Sequence, residues 1–352
     1  MNVTLILGNG FDLNMGLPTA YSDFYQYYLK VDSPIQADFI KQKIKDEPKT
    51  WADLEKALGD VTAEYSDKVS VFDAAFSNVR DALAKYLEAV DTYAFPGLNA
   101  NAFRFLQNVL EIDRFLDNKP KREYREFIKE LDYNDIVLNV INFNYTSVVE
   151  KLKEVVSSAQ VPNKKVVLND IIHVHQTLDA GIIMGVNDES QIANETFRKS
   201  FDIQSVMIKP FINEEFAAGN DAKCVQLIAN SDIIILYGTS LGQTDQVWWN
   251  VLANNVLARR QRIVYCPYES GAVQPMHETN VIRKIRYFKG YLAKTLVSDN
   301  VSLQAELMDK IYPIRNNHMF NFGFTQKDRD AVRREVIHKL IPPHYIQAKD
   351  IL

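Results

Sequence analysis

Polar residues collect just past the aliphatic runs of this chain, and that is where its chemistry is concentrated. Run 3–7 leads into Gly8-Asn9-Gly10-Phe11-Asp12, run 135–142 into Phe143-Asn144-Tyr145-Thr146, and run 231–237 into Gly238-Thr239-Ser240-Leu241-Gly242 and then Asp245. A fourth segment, from residue 165 onward, ends in His173-Val174-His175. Gly8 and Gly10 can take positive φ and let a ligand reach the main chain, and a following helix N-terminus offers N–H groups to an anion. A nucleotide suits that geometry. The dinucleotide fingerprint Gly-x-Gly-x-x-Gly would need glycine where Leu13 stands, and Asp12 would repel a phosphate set directly against it. The expectation is a nucleotide near this turn, with Asp12 toward a ribose hydroxyl, in a fold unlike a standard dehydrogenase. A glycine turn without a ligand is the plain alternative.

The other candidates also carry two readings. Asn144 sits where parallel strands place ligand chemistry, and where the following helix would take an asparagine N-cap. Alternation puts His173 and His175 on one side of a strand. No third ligand for zinc is visible and no metal is expected, so a general base in a cleft is the favoured role. Trp51 and Glu55, four apart, would share a helix face and hold a carboxylate beside an aromatic ring near the loop. A solvated charge next to a core tryptophan explains the same spacing.

The elements that must position these groups follow from hydrophobic periodicity. Continuous aliphatic runs predict buried parallel strands at 3–7, 135–142, 231–237 and 262–266. Between the first two lies helical periodicity at 37–44, 51–65, 69–93, 102–115 and 124–131, with Thr19 as the expected cap of a helix before them. The fold expected is α/β: a Rossmann-like, mostly parallel sheet flanked by helices. The nucleotide-binding core would comprise 1–30 and 132–270, interrupted by a helical insertion at 31–131, with a mainly helical C-terminal region at 271–352. Residues 190–229 read as helices with a loop near Lys209-Pro210.

At 352 residues, with 47% hydrophobic and 24% charged residues, the chain can bury a substantial core, and disorder is excluded. A net charge of −5 gives no general attraction to nucleic acid or anionic lipid, so neither a membrane nor direct nucleic-acid binding is expected. Two cysteines, Cys224 and Cys266, cannot make a disulfide framework, and no apolar run has the length of a membrane span. With no leader-like start, the cytoplasm is the expected location.

Taken together, Leu7-Gly8-Asn9-Gly10-Phe11-Asp12-Leu13, Gly16-Leu17-Pro18-Thr19-x-Tyr21, Trp51-x-Asp53-x-Glu55, Asn142-Phe143-Asn144-Tyr145-Thr146 and Gly238-x-Ser240-Leu241-Gly242 resemble the AbiH family of bacterial phage-resistance (abortive infection) proteins. A more distant resemblance, to sirtuins and the sirtuin-like domains of antiphage NAD hydrolases, rests on the order of four motifs: Gly8 to Pro18, Asn144-Tyr145-Thr146, His175-Gln176 and Gly238 to Leu241. Glu150 falls where the defence domains place an acidic residue. The resemblance implies NAD or a related nucleotide as ligand or substrate. Gly8, Asn9, Gly10, Phe11, Asp12, Gly16 and Pro18 would border it on one side. Gly238, Thr239, Ser240 and Leu241, with Asp245, would border the adenosine half, and Asn144 and His175 the nicotinamide-ribose end as catalytic groups. Two departures stand out: Thr146 in place of an acidic residue, and Gln176 in place of the glycine after the histidine. The absence of a four-cysteine zinc module argues against deacylation.

The leading expectation is thus an antiphage effector that binds NAD and hydrolyses its N-glycosidic bond when infection triggers it. A phage-derived or host protein would be the trigger, and a homo-oligomer is a further expected partner. A non-catalytic nucleotide sensor is the alternative. A metal-dependent nuclease, with Asp12, Asp53, Glu55 and Asp245 converging on Mg²⁺, is a third.

Overall fold

Seven short runs of mainly β-branched and aliphatic residues form one sheet in this computed structural model: β1 (Asn2–Leu7), β2 (Asp135–Asn142), β3 (Ser158–Val161), β4 (Lys164–His173), β5 (Ile233–Tyr237), β6 (Arg262–Cys266) and β7 (Ile311–Pro313). Residues 1–341 are described, apart from 67, 94–96, 132, 134, 162–163, 217–218, 269–277, 299 and 316–318. The two ends of the expected C-terminal region, 271–277 and 342–352, therefore lie outside the described residues. The strand order is β3-β4-β2-β1-β5-β6-β7. Every neighbouring pair is parallel except β3, which runs antiparallel along β4.

The continuous aliphatic runs arise because both faces of the sheet are covered. Val3, Leu5, Leu7, Ile233, Ile235 and Tyr237 belong to one core cluster, and their neighbours Ile6, Ile234 and Leu236 to the other. Period-two alternation sorts the side chains of each strand between two apolar layers. The register then sets the site. Leu7 lies level with Asn142 on one side and Tyr237 on the other, and Asn142 lies level with His173. The residues that follow these four strand ends must emerge together. The chain moves from β1 to β2 and β4 on one side, then returns to place β5 on the other, so the order reverses between β1 and β5. Open α/β sheets hold their ligands at such a crevice.

The residues between β1 and β2 are helical, as their periodicity predicts. The longest helix there, Val69–Asp91, buries Phe72, Phe76, Val79, Leu83, Tyr86 and Val90, one stripe at three- and four-residue spacing. That stripe joins the same cluster as β1 and β5, so one core runs through the insertion and the sheet. The opposite face is covered by Asn220–Ala229, Gln246–Ala258 and Glu278–Leu296, with Trp248, Trp249 and Leu252 against the strands. Gln326–Leu340 returns to the first face through Val332 and Val336, and its Arg333 pairs with Asp23 at 2.6 Å.

Several local expectations are corrected. Helix Tyr21–Tyr28 is preceded by Ala20 and has no side-chain cap; the Thr19 hydroxyl instead donates to Asn9 Oδ1 at 2.5 Å. Trp51 and Glu55 do not share a helix. Asp53 caps Leu54–Val61 by accepting from Lys56 N at 3.1 Å, so Trp51 falls in the preceding 3₁₀ turn. Ser147, not Asn144, precedes helix Val148–Val155. β3 and β7 were not foreseen: strands of four and three residues are too short for alternation to stand out, and β7 gives the C-terminal region a strand among its helices. Among the described residues, no helix is long and apolar enough to cross a membrane.

Candidate functional site

The turns after β1 and β5 are locked together, which explains the glycines. Gly8 N–H donates to Tyr237 O at 3.0 Å and Gly10 N–H to Gly238 O at 2.9 Å. A Cβ on Gly8 would stand 2.6 Å from Gly238 O, and one on Gly10 2.6 Å from Gly238 Cα. Gly238 has φ +68°, and its Cβ would meet Phe11 N at 2.7 Å. These glycines let two backbones touch. The role expected for Gly10, close approach of a ligand, is filled by the neighbouring loop.

Beside this clasp lies a cavity of about 330 Å³. Of the residues expected at a site, Gly8, Asn9, Asp12, Asn144, His175, Gly238, Thr239, Ser240 and Asp245 line it, together with Asp53, Glu55, Tyr21, Tyr145 and Thr146. Gly10, Phe11, Gly16, Pro18 and Leu241 do not. Phe11 is wholly buried, edge-on to Phe105, Tyr237, Phe320 and Phe322 at centroid distances of 5.7–6.1 Å. A Cβ on Gly16, at φ +82°, would strike the Phe324 ring at 2.9 Å. Pro18 presents its carbonyl to the Tyr86 hydroxyl at 2.9 Å, and Leu241, at φ +55°, sits in the core on the Trp248 side. The first-turn motif therefore reads largely as packing around Asp12.

Asp12 is 1% exposed. Its Oδ1 accepts from Asn144 Nδ2 at 2.9 Å and its Oδ2 from the Thr146 hydroxyl at 2.5 Å. Burial pushes its pKa from 3.8 to about 7, against the opposing effect of the Thr146 hydrogen bond and with a contribution from the Asp91 charge. Asn144 also donates to Gly8 O at 3.2 Å, tying the β2 loop to the β1 loop. Thr146, where the resemblance leads one to expect an acid, is thus a donor to Asp12; a carboxylate there would face another carboxylate.

The two histidines serve different networks. β4 ends at His173, whose Nδ1–H donates to Asn144 O at 2.7 Å and whose Nε2–H donates to Glu150 Oε1 at 2.9 Å. Burial works to lower the His173 pKa, but the hydrogen bond and charge of Glu150, with the Asn144 carbonyl, raise it overall. Its role is to buttress the Asn144 loop. His175 lines the cavity, edge-on to Phe143 at 5.4 Å. Its Nε2–H donates to Asp245 Oδ1 at 3.0 Å, which leaves Nδ1 as the proton-accepting nitrogen, buried and with no partner among the described residues. Gln176 takes φ +65°, a glycine-like backbone kept without the glycine.

Lys209 was missed. It opens helix Lys209–Phe216 where a loop was expected, is 2% exposed, and donates to Glu55 Oε2 at 2.8 Å and to Asp245 Oδ1 at 2.7 Å. Burial alone would lower its pKa, yet the two carboxylates push it up to about 12, and the same lysine holds the Asp245 carboxyl well below the usual range. Glu55 Oε1 accepts from Gly185 N at 3.1 Å. Nothing local in the sequence marks Lys209; it becomes visible only once Glu55 and Asp245 are known to converge.

The four carboxylates proposed for Mg²⁺ do line one cavity, but Glu55, Asp245 and Asp12 are each turned to partners of their own. Among the described residues, no group of three His, Cys, Asp or Glu side chains is disposed to hold a metal ion. Nor does any lysine or arginine among them line this cavity.

The sheet and the cavity define a mostly parallel α/β protein with an acidic pocket at the strand ends where the order reverses. The family model for bacteriophage abortive infection AbiH proteins matches residues 4–266, a span that includes every lining residue of this pocket, from Gly8 to Trp249. The chain belongs to the AbiH family, and that membership implies a role in abortive infection by bacteriophage. No curated protein matches the chain.

Proposed function

We propose that this protein is an antiphage effector whose cavity receives the base-ribosyl end of a nucleotide of the NAD type and hydrolyses its N-glycosidic bond. The observation that carries the reading is the charge of the cavity: Asp12, Asp53, Glu55 and Asp245 line it, with no lysine or arginine among the described lining residues. A cationic nicotinamide-ribose and the oxocarbenium-like state formed from it both suit such a wall. The order of the six parallel strands, with β1 central and the reversal between β1 and β5, is the one found in doubly wound dinucleotide-binding sheets and supports the same choice.

In the proposed reaction, Asp12, fixed by Asn144 and Thr146, binds a ribose hydroxyl. Water adds to the anomeric carbon as the carbon–nitrogen bond breaks. Nicotinamide leaves as a neutral base, taking the bonding electron pair, so the leaving group needs no acid. The proton lost by water passes to His175 Nδ1, whose other nitrogen is held by Asp245. Asn144 acts here as a positioning residue.

The test is an NMR time course of nicotinamide release from NAD, with and without lysate of phage-infected cells, for wild type, His175→Ala and Asp12→Asn. Release that requires His175 and Asp12 is the expected result. Binding of NAD without release in any tube would assign the cavity to a sensor, and neither binding nor release would overturn the reading.

A further inference from the structure

A second cavity, of about 510 Å³, lies between helices Tyr21–Tyr28 and Ile35–Asp46. Ala20, Tyr21 and Ala52 line both it and the first cavity, so the two adjoin at these residues. Their linings differ. The first carries four carboxylates; the second is mostly apolar, with Lys45 and Ser22 among its residues and no carboxylate. Tyr25 gives it a fixed aromatic surface, because its hydroxyl donates to Trp51 O at 2.7 Å. Lys45 is exposed and makes no ion pair among the described residues, unlike its neighbour Lys43, which pairs with Glu64 at 2.7 Å.

We propose that this second cavity is the phosphate subsite of the same ligand: the base-ribosyl end enters the acidic cavity, and the 5′-phosphate side passes Tyr21 to reach Lys45 and Ser22. The proposal rests on the function proposed above and narrows it to a 5′-phosphorylated substrate. Electrostatics drives the assignment. A phosphate in the first cavity would face Asp12 and Asp53 beside Glu55 and Asp245, whose offset is the Lys209 ammonium held between those two and not lining the cavity, whereas the second has Lys45 and Ser22 among its lining residues. Size agrees with it. A cavity of about 330 Å³ is near the lower bound of ligand sites, roughly 300–1,000 Å³, and suits a nucleoside better than a whole dinucleotide. The phosphate thus runs toward helices Tyr21–Tyr28 and Ile35–Asp46, away from the Gly238 loop where the sirtuin resemblance puts the adenosine half.

Isothermal titration with nicotinamide riboside, nicotinamide mononucleotide and NAD, for wild type, Lys45→Glu and Lys45→Arg, tests this. Lys45→Glu should weaken the two phosphorylated ligands by about threefold to tenfold and leave the riboside unchanged, with Lys45→Arg close to wild type. Equal effects on all three ligands, or no effect on any, would overturn the subsite while leaving the proposed function standing. If wild type bound none of the three, both would fall.

Discussion

Replacing Lys209 by methionine should expose how the wall of the cavity is held. The substitution keeps the length of the side chain but leaves Glu55 and Asp245 facing each other without the cation that now lies 2.8 and 2.7 Å from them. Two estimates bound the loss. The rise of the Lys209 pKa from 10.5 to about 12 corresponds to about 2 kcal/mol. Removing one partner from a buried ion pair costs about 3–5 kcal/mol. Because the lysine pKa is raised, its stabilisation is fully present below 10.5 and is lost only as pH rises through about 12, so at pH 8 the variant should show the whole deficit. The deficit should shrink in acid, because without Lys209 the burial of Asp245 acts to raise its carboxyl pKa and protonation relieves the repulsion. Urea unfolding followed by the fluorescence of Trp51, Trp248 and Trp249 measures it, and Glu55→Gln added to Lys209→Met should recover part of the loss. A deficit under about 1 kcal/mol at pH 8, or one that does not change with pH, would refute the reasoning, since that is how an exposed pair behaves.

Asp12→Asn should make the protein more stable than wild type at pH 8, by about 2 kcal/mol. In wild type the raised carboxyl loses folding stability as pH climbs from about 4 to about 7; denaturant midpoints across that range should diverge with rising pH. Glu150→Gln should cost about 1 kcal/mol at pH 6 and little at pH 9. The raised His173 pKa makes its pairing fully stabilising below 6.5, with the benefit lost as pH rises through the folded value. Gly238→Ala should destabilise by about 3 kcal/mol or more in the same assay, because the new Cβ adds a contact 2.7 Å from Phe11 N to an unfavourable φ of +68°.

The strands that carry the site were legible because burial on both faces writes them as unbroken aliphatic runs, and β1, β2, β5 and β6 fell where those runs lie. The helix Gln246–Ala258 was equally plain. What the glycines do was not legible. Gly8 and Gly10 announce a tight turn, but that their neighbour is Gly238 rather than a ligand depends on a contact 230 residues away in sequence for Gly8. The same holds for Lys209, which meets Glu55 across 154 residues. Asp12, Asn144 and His175 could be picked out because each follows a strand end, and strand ends converge by register. Which hydroxyl or carbonyl each would bond, and hence that Thr146 serves Asp12 and that His173 stiffens the Asn144 loop while His175 pairs with Asp245, required the side chains in place.

The clasp between the β1 and β5 turns also decides where the protein can breathe. With Gly8 and Gly10 bonded to Tyr237 O and Gly238 O and no room for even a methyl group between them, neither turn can swing without the other. The floor of the cavity is in effect a rivet through the middle of the sheet. Any gate for a ligand must therefore open on the opposite wall, at the Ala20-Tyr21 and Ala52-Asp53 segments, both of which lie in the helical stretch between β1 and β2. Amide exchange should accordingly be slowest at Gly8 and Gly10 and should change on ligand binding mainly along helix Tyr21–Tyr28, which turns the long helical detour between β1 and β2 from an ornament of the fold into its door.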